Sequence, residues 1–405
     1  MRRWFARLSV VLAAPSAAAQ PATPAASPSA SAAATAGARP AVSSSAAPSP
    51  AWPARLLAEL ERADGRTTAD LGVYVRDLES DVSASYHAEE SWYLASMVKL
   101  PVALAVLRSA EHGEHFLDTN LTLRADDYVD GAGPTNGFEP GAVFTVRTLL
   151  EQMMIYSDNT ASDMLIGLVG IDAVNALAQE TVPAGFGAIT RLADVRRRIY
   201  GELTPAAVHL SGRDFVVLQR QGSDARRLQA LAGLLSVPAA SFGTRSLAQA
   251  YAAYYATGLN SARLDAYGEL LVKLARGEIL GPSGTAYLLQ VMQRAQTGAR
   301  RIKAGLPKSA PFAHKTGTQR ARICDAGIIG SRAAGGRRVV VAACTRGDLP
   351  TARLEQSLKE VGEAIGRSGL LADEDHHGHT EPPVPASAVQ PGAAGRQPGP
   401  GRRLD

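Results

Sequence analysis

The fold is constrained most by the placement of strand-like runs, which lie at both ends of one long segment. Two alternating runs, LGVYVRDL and VSASYHAE, flank a turn at residues 79–81, and three more, PFAHKTGT, RICDAGII and RRVVVAAC, follow residue 310. The first two runs alternate between apolar and polar residues as a hairpin would, and the other three are strand-like. We therefore expect one five-stranded antiparallel sheet in which early and late parts of the chain meet.

The segment between these runs, from about residue 94 to residue 301, is rich in Ala and Leu and is predicted to be mainly helical. A helix at each end of the domain has one apolar face. These faces consist of Leu56, Leu57 and Leu60 in the first helix and of Leu354, Leu358, Val361 and Ile365 in the last. The pattern predicts an α/β (α+β) fold, a sheet flanked by the N- and C-terminal helices with a separate helical lobe.

Both chain ends differ in composition from this segment. Residues 1–19 are basic, then apolar, then small, as in a signal peptide, although an Ala-rich terminus without a targeting role is the alternative. Residues 20–53, almost wholly Ala, Ser, Pro, Thr and Gly, and the tail 369–405 lack the apolar bulk for a core. We expect a folded domain at 54–368, exported to the periplasm or secreted, with no membrane span after signal removal.

Composition also limits the partners. The net charge is +4 and the pI is about 9.1, but no basic run interleaved with aromatic residues suggests a nucleic-acid partner. His376, His377 and His379 in the tail have no accompanying Cys or rigid element, so we expect no metal and no other cofactor. The expected partner is a small-molecule substrate, and the expected state is a monomer.

Two cysteines, Cys324 and Cys344, lie on runs joined by a turn at 333–336, which places them opposite each other. In an oxidising compartment they could form a cross-strand disulfide. Two buried free thiols are the alternative, because directly opposed strand positions often strain the bond.

The first candidate site is Ser96 with Lys99, three residues apart on one face of a helix. A serine hydroxyl needs a base to remove its proton, and a desolvated lysine can have its pKa lowered enough to serve. An ordinary helix surface would show the same spacing, so this motif alone is weak.

The second site, Ser157 to Asn159, lies between two predicted helices. Such residues are typical helix N-caps. In a functional interpretation, Ser157 relays a proton to the leaving group, and the Asn159 amide holds Lys99 and a substrate carbonyl.

The third site comprises Lys315, Thr316, Gly317 and Thr318 on a strand. A cation with hydroxyls suits a substrate carboxylate, and a glycine lets a substrate backbone approach the strand. A strand that ends in a glycine turn is the alternative.

Together the three sites spell S-x-x-K, S-D-N and K-T-G in order, and the chain resembles the class A β-lactamase and penicillin-binding serine hydrolases over most of residues 54–366. The resemblance implies a β-lactamase/transpeptidase-like fold, an acyl-enzyme at Ser96 with Lys99 as base, and an oxyanion hole from the backbone amides of Ser96 and Thr318. The implied substrate is a β-lactam or a peptidoglycan peptide.

The chain departs from this family where it should hold the deacylating water. Arg196 stands at the position of the glutamate, and Tyr200 replaces an asparagine. A segment at about 203–245 looks inserted; Glu202 could substitute for the missing carboxylate or be a surface residue. An arginine cannot act as a general base.

His314 before Lys315 spells HKTG, which favours cell-wall peptidases; it is either bonded to a neighbour or perturbs Lys315. We predict a class A β-lactamase-related serine hydrolase. A DD-peptidase and a non-catalytic wall-binding sensor are the alternatives.

Overall fold

The computed structural model describes residues 51–114, 116–242, 246–330 and 337–371. The α-helices in these ranges are α1 Trp52–Asp64, α2 Lys99–Glu111, α3 Val146–Ile155, α4 Asn159–Val169, α5 Ile171–Thr181, α6 Leu192–Gly201, α7 Gly212–Gln219, α8 Asp224–Leu235, α9 Leu247–Ala256, α10 Leu264–Arg276, α11 Pro282–Gln293, α12 Ile302–Gly305 and α13 Thr351–Arg367. The strands are β1 Asp70–Asp77, β2 Ser83–Tyr86, β3 Ser91–Tyr93, β4 Asn120–Thr122, β5 Val143–Thr145, β6 Ser261–Arg263, β7 Phe312–Gln319, β8 Arg322–Ile329 and β9 Val339–Arg346.

The main sheet has five antiparallel strands in the order β2-β1-β9-β8-β7. β1 from the start of the domain pairs along its whole length with β9 from the end, with Val73 opposite Ala343. The prediction of one sheet built from both ends of the chain is confirmed. β7, which carries the K-T-G residues, lies at its edge.

Apolar side chains cover both faces of the sheet. On one face α1 and α13 pack against residues such as Leu71, Val73 and Val341. Leu56 and Leu60 of the predicted apolar face of α1 are buried, while Leu57 is half-buried. The face of α13 is buried as predicted. On the other face α10 and the helical lobe form a second core around α2.

Four short strands within and just before the helical lobe were not predicted from the sequence. β3 pairs with β6, with Trp92 opposite Ala262, and β4 pairs with β5. The β3–β6 pair joins the segment that precedes Ser96 to the start of α10. Three-residue strands carry too little alternation to be recognised in a sequence.

Residues 203–242, within the segment predicted to be an insertion, contain α7 and α8. Phe215 and Leu231 of these helices pack with Tyr200 of α6 in a third apolar cluster that also includes Tyr93 and Ala95. The segment therefore continues the lobe beside Ser96. That it is an insertion stays a prediction.

The described structure extends slightly beyond the predicted domain limits of 54 and 368. α1 begins at Trp52, inside the predicted linker 20–53, and Leu370, inside the predicted tail 369–405, is buried. The predicted signal peptide, nearly all of the linker, the 333–336 turn and the three tail histidines lie outside the described residues.

Cys324 and Cys344 face each other on β8 and β9 and form a disulfide. Of the two alternatives left open by the sequence, the structure has the bonded one.

Within the described ranges no single helix is long and apolar enough to cross a membrane. Only α4 and α5 taken together reach that length, and they are bent by 86° at Gly170.

Candidate active site

Ser96 lies in a short 3₁₀ helix, Ala95–Val98, that leads directly into α2 at Lys99. Ala95 has a φ of +48°, in the left-handed region that costs a non-glycine residue about 1–2 kcal/mol. Tyr267 of α10 donates its hydroxyl to the Met97 carbonyl at 3.0 Å, which fixes this turn from behind. Such local strain, held by surrounding packing, is common where a side chain must be aimed.

Lys99 is fully buried, and its Nζ lies among four oxygen atoms. The Ser157 carbonyl oxygen lies 2.5 Å away, Asn159 Oδ1 2.7 Å, Ser96 Oγ 3.1 Å and Ser157 Oγ 3.2 Å. The predicted contact between hydroxyl and amine is therefore present.

Burial lowers the pKa of Lys99 to about 7. The Arg196 guanidinium acts in the same direction, while Asp158 and Asp163 oppose it. A lysine with such a pKa is about half neutral near pH 7, and only the neutral amine can accept a proton.

The turn Ser157–Asn159 serves two purposes at once. Asp158 caps α4, because its Oδ1 accepts the Ala161 backbone N–H at 2.8 Å. Ser157, with a φ of +62°, and Asn159 point their side chains at Lys99. The capping and functional interpretations are thus both realised, by different residues of the motif.

A loop at residues 129–135 supports this turn. Thr135 N donates to Asp158 Oδ2 at 2.7 Å, and Asn159 Nδ2 donates to the Asp130 carbonyl at 2.6 Å. Gly131 and Gly133 both have positive φ, and a Cβ at Gly133 would overlap Asp158. One Asn159 N–H is therefore already used by the loop, which leaves its second N–H for any substrate carbonyl.

Lys315, on β7, also contacts Ser157. Its Nζ is buried, donating to Ser157 Oγ at 2.9 Å and to the Thr316 carbonyl at 3.0 Å. Burial, with the charges of Lys99 and Arg301, lowers the pKa of Lys315 well below its usual value, and Asp325 opposes this. The three motifs thus converge on one hydroxyl.

The rest of the K-T-G segment is held by Arg301, a residue to which the sequence analysis gave no role. Arg301 is buried and donates to the Gly317 and Cys324 carbonyls, each at 3.0 Å, and to Thr318 Oγ1 at 2.7 Å. Thr316 Oγ1 pairs with Thr297 Oγ1 at 2.6 Å. Among many arginines in the sequence, nothing distinguishes Arg301 as the buried one.

Gly317 has a structural role in addition to the predicted approach of substrate. A Cβ at this position would overlap the Leu94 carbonyl oxygen and crowd Ala95. The missing side chain lets β7 lie directly against the segment that carries Ser96.

His314 is buried and bonds to a neighbour, one of the two alternatives from the sequence. Its Nδ1 lies 2.7 Å from Asp325 Oδ1 on β8, and its ring stacks on Phe312. The low pKa of Lys315 has other causes: burial lowers it most, and the charges of Lys99 and Arg301 add to this effect.

Arg196, the residue at the predicted glutamate position, lies in the same cleft. Its Nε donates to Asp130 Oδ1 at 2.6 Å, and the two side chains are 13% and 7% exposed. Burial alone would lower the pKa of Arg196, but Asp130, with Tyr251 and Tyr93, more than offsets this, so the guanidinium stays charged. Glu202 is exposed at the end of α6.

α6, which carries Arg196, is fixed at its first turn by Asp163 of α4. The Asp163 carboxylate accepts the backbone N–H groups of Leu192 at 2.7 Å and Ala193 at 3.0 Å. Burial raises the pKa of Asp163, although these hydrogen bonds act in the opposite direction. α6 and α4 thus form one support for Arg196 and Asn159.

A cleft of about 40 Å³ opens beside these groups. Its lining residues are Tyr93, Ala95, Ser96, Asn159, Leu192, Val195, Arg196, Thr318 and Gln319. The predicted site residues are therefore brought together: Ser96, Lys99, Ser157, Asn159 and Lys315 by direct contacts, and Thr316, Gly317 and Thr318 on the adjoining strand. In the described part of the chain no three His, Cys, Asp or Glu side chains are grouped to hold a metal ion.

The chain is similar in sequence to known β-lactamases. Residues 54–368 match the family described as "Beta-lactamase enzyme family". The chain is 36% identical over 121 residues to the β-lactamase of Streptomyces albus G, an alignment that covers 29% of this chain but only 38% of that enzyme. A β-lactamase of Mycobacterium tuberculosis (strain ATCC 25177 / H37Ra) is 27% identical over 280 residues, 69% of this chain and 72% of that one.

Two solved structures share the fold at 21% sequence identity. One is a mutant of PBP-A in an acyl-enzyme complex with penicillin G, with a TM-score of 0.58 over 78% of this chain and 96% of that chain. The other is a mutant of the class A β-lactamase of the last common ancestor of Gram-negative bacteria, with a TM-score of 0.58 over 80% of this chain and all of that chain.

Proposed function

Because the chain belongs to the beta-lactamase enzyme family, we propose that it cleaves the amide of β-lactams through a covalent acyl-enzyme at Ser96. The observation that carries this proposal is the placement of Lys99 Nζ within 3.1 Å of Ser96 Oγ, in a buried site that lowers the pKa of the amine to about 7. The family and the shared fold support the reaction class.

The hydrogen bonds of Lys99 leave its lone pair available. A neutral amine has two N–H groups, and the nearest acceptors are the Ser157 carbonyl at 2.5 Å and Asn159 Oδ1 at 2.7 Å. With these two satisfied, the lone pair is free to accept the proton of Ser96 as its oxygen attacks the substrate carbonyl carbon. Lys99 is thus the general base of acylation.

The proton then has a short route to the leaving group. Protonated Lys99 gains a third N–H, and Ser157 Oγ lies 3.2 Å from its Nζ. Lys315 donates to the same oxygen at 2.9 Å, so the hydroxyl hydrogen of Ser157 is free to pass to the departing nitrogen. The C–N bond breaks, the nitrogen leaves protonated, and an ester remains on Ser96.

Substrate binding is assigned to the K-T-G strand and to Asn159. Lys315, Thr316 and Thr318 hold the substrate carboxylate, supported by the fixed position of Thr318 under Arg301. Asn159 binds the acyl-side carbonyl with its second N–H. The backbone amides of Ser96 and Thr318 form the oxyanion hole, and both residues line the same cleft.

The presence of Arg196 at the predicted glutamate position supports a second candidate function, a DD-peptidase-type hydrolase that acts on peptidoglycan peptides. Such an enzyme would release β-lactam acyl groups slowly. None of the described residues that line the cleft is an Asp or Glu. Among the described residues, Asp130 is the one carboxylate that is bonded to the side chain of a cleft residue. Its partner is Arg196. Because no Asp or Glu among the described cleft-lining residues is placed to activate water, hydrolysis of the ester is expected to be slower than its formation.

We also propose that the protein acts outside the cytoplasm. The basic-then-apolar residues 1–19 support export. The Cys324–Cys344 disulfide supports an oxidising compartment.

The test is incubation of the full chain with a chromogenic cephalosporin, with turnover followed alongside intact mass. Sustained turnover, absent in Ser96→Ala, supports a β-lactamase. A lasting covalent adduct without turnover, together with release of D-Ala from a D-Ala-D-Ala peptide, supports the peptidase. Neither adduct nor turnover, with ligand affinity retained by Ser96→Ala, supports a non-catalytic sensor and contradicts both enzyme proposals.

A further inference from the structure

Arg196 presents an unused edge of its guanidinium to the cleft. Its Nε is bonded to Asp130, but within the described residues neither terminal nitrogen has a hydrogen-bond acceptor. The side chain lines the cleft with Ser96 and Asn159. The two terminal nitrogens of a guanidinium form a planar fork that suits a carboxylate.

The position of Arg196 differs from that of the cations on the β7 side. Arg196 lies on α6, where its Nε is bonded to Asp130, whereas Lys315 lies on β7, where its Nζ is bonded to Ser157 Oγ. A Cβ at Gly131, in the loop whose Asp130 carbonyl accepts the Asn159 amide, would lie 4.0 Å from Arg196 Nη2. Arg196 therefore belongs to the α4–α6 support and lines the cleft with Asn159, whereas Lys315 belongs to β7 and is not among the residues that line the cleft.

We propose that Arg196 binds a second substrate carboxylate, on the acyl side of the scissile amide, so that the enzyme prefers acyl donors with an anionic side chain. This inference rests on the proposed acylation of Ser96. The substrate class is a β-lactam or acyl-peptide with two carboxylates, one held by Lys315 and Thr318 and the other by Arg196. A single guanidinium can accommodate both Asp130 and the ligand, because they use different N–H groups.

The competing explanation is purely structural. The Arg196–Asp130 pair joins α6 to the 129–135 loop, and a partly buried ion pair can serve only to hold two segments together. That role predicts no dependence on substrate charge, whereas ligand binding does.

The test compares two penicillins that differ by one carboxylate. Carbenicillin carries an additional carboxylate on the acyl side chain of benzylpenicillin. Second-order rate constants for acylation of the full chain are measured for both by intact mass, and the carbenicillin-to-benzylpenicillin ratio is the readout. Any effect of a variant on Ser96 or Lys99 is common to both compounds and cancels in this ratio.

In Arg196→Gln the ratio falls about ten-fold, the loss expected for one charge-assisted contact of roughly 1.4 kcal/mol. The double variant Arg196→Gln/Asp130→Asn, which leaves no unpaired buried charge, shows the same fall. Asp130→Asn alone raises the ratio, because the guanidinium is no longer neutralised by its partner. Arg198→Gln, an exposed position on the same helix, leaves the ratio unchanged.

The outcomes separate this inference from the function on which it rests. If benzylpenicillin acylates the protein but the ratio stays constant in all three Arg196 and Asp130 variants, the pair is structural and the inference is overturned alone. If neither penicillin forms an adduct with the wild-type chain, the proposed function fails and the inference fails with it.

Discussion

At the scale of single residues, the chemistry depends on the protonation state of Lys99. Its amine is buried, touches Ser96 Oγ and has a pKa of about 7. Below that pKa the amine is an ammonium with no lone pair, and above it the amine can accept the serine proton. Ordinary surface lysines, with a pKa near 10.4, would be unsuitable bases at neutral pH.

The acylation rate should therefore rise with pH. We expect the second-order rate constant for benzylpenicillin to increase between about pH 5.5 and 8.5 with a midpoint near 7, because the fraction of neutral Lys99 increases there. Rates of adduct formation by intact mass provide the measurement. Lys99→Arg, which keeps the charge but cannot deprotonate, should lose acylation by several orders of magnitude; a flat profile would contradict the assignment of the base.

Burial is the main cause of the low pKa of Lys99, and Arg196 should add to it and so influence this midpoint. The Arg196 cation disfavours the charged form of Lys99 and so lowers its pKa. Arg196→Gln removes that effect, and the midpoint of the acylation profile should move to higher pH. Arg198→Gln is the matched control and should leave the midpoint in place, while a shift to lower pH in Arg196→Gln would show that the charges interact differently.

At the scale of elements, the site depends on close contact between β7 and the 3₁₀ helix that carries Ser96. Gly317 allows this contact because a Cβ there would overlap the Leu94 carbonyl oxygen. Arg301 then joins β7 to β8 through the Gly317 and Cys324 carbonyls. The distance between nucleophile and substrate-binding strand is therefore set by backbone packing.

Gly317→Ala should damage both stability and activity. Added volume at a tight backbone contact costs about 1–3 kcal/mol, and here the relief of the overlap moves β7 away from Ser96. We expect a lower melting temperature and an acylation rate reduced at least about ten-fold. Gly222→Ala, where a Cβ meets nothing within 4 Å, is the control and should change neither; an unaltered rate in Gly317→Ala would contradict this view of the contact.

The helix-start interpretation of Ser157–Asn159 shows what a sequence can and cannot distinguish. Capping and catalysis favour the same residue types, so the sequence left both open, and only the structure assigns the cap to Asp158. The support from Gly131 and Gly133 was not predicted, because a glycine-rich loop identifies no partner until the chain is folded. The short strands β3 to β6 were missed for lack of alternation.

At the scale of the whole molecule, three apolar clusters stabilise the fold. Two cover the faces of the sheet, and the third, around Phe215, joins residues 203–242 to α6, Tyr93 and Ala95. The third cluster supplies Tyr93, Ala95 and Val195 to the lining of the cleft. It therefore couples the lobe to Arg196 and to the segment before Ser96.

Cavities created by substitutions in different apolar clusters should affect acylation differently. Phe215→Ala should cost about 3–5 kcal/mol of unfolding free energy and Leu358→Ala about 2–5 kcal/mol, since both side chains are buried. Hydrogen exchange should increase around residues 192–242 in the first variant and around the sheet in the second. Acylation should slow more in Phe215→Ala; equal slowing in the two variants at matched stability would contradict the coupling.

The sequence predicted much of this organisation because its signals are local or repetitive. Five strand runs, two amphipathic terminal helices and three motifs with a single mechanism were visible without coordinates. The pairs that complete the site, Arg196 with Asp130 and Arg301 with Thr318, join residues 66 and 17 positions apart. Neither pair has a spacing that marks it in an arginine-rich chain, so only the folded structure reveals them.

The most direct test of the account is the location of the penicillin adduct. The full chain is treated with benzylpenicillin near pH 8, digested and mapped by mass spectrometry. We predict one added penicillin per chain, on Ser96 alone, and no adduct in Ser96→Ala or Lys99→Arg. A modification on any other residue, or an unchanged adduct in either variant, would contradict the assignment of nucleophile and base.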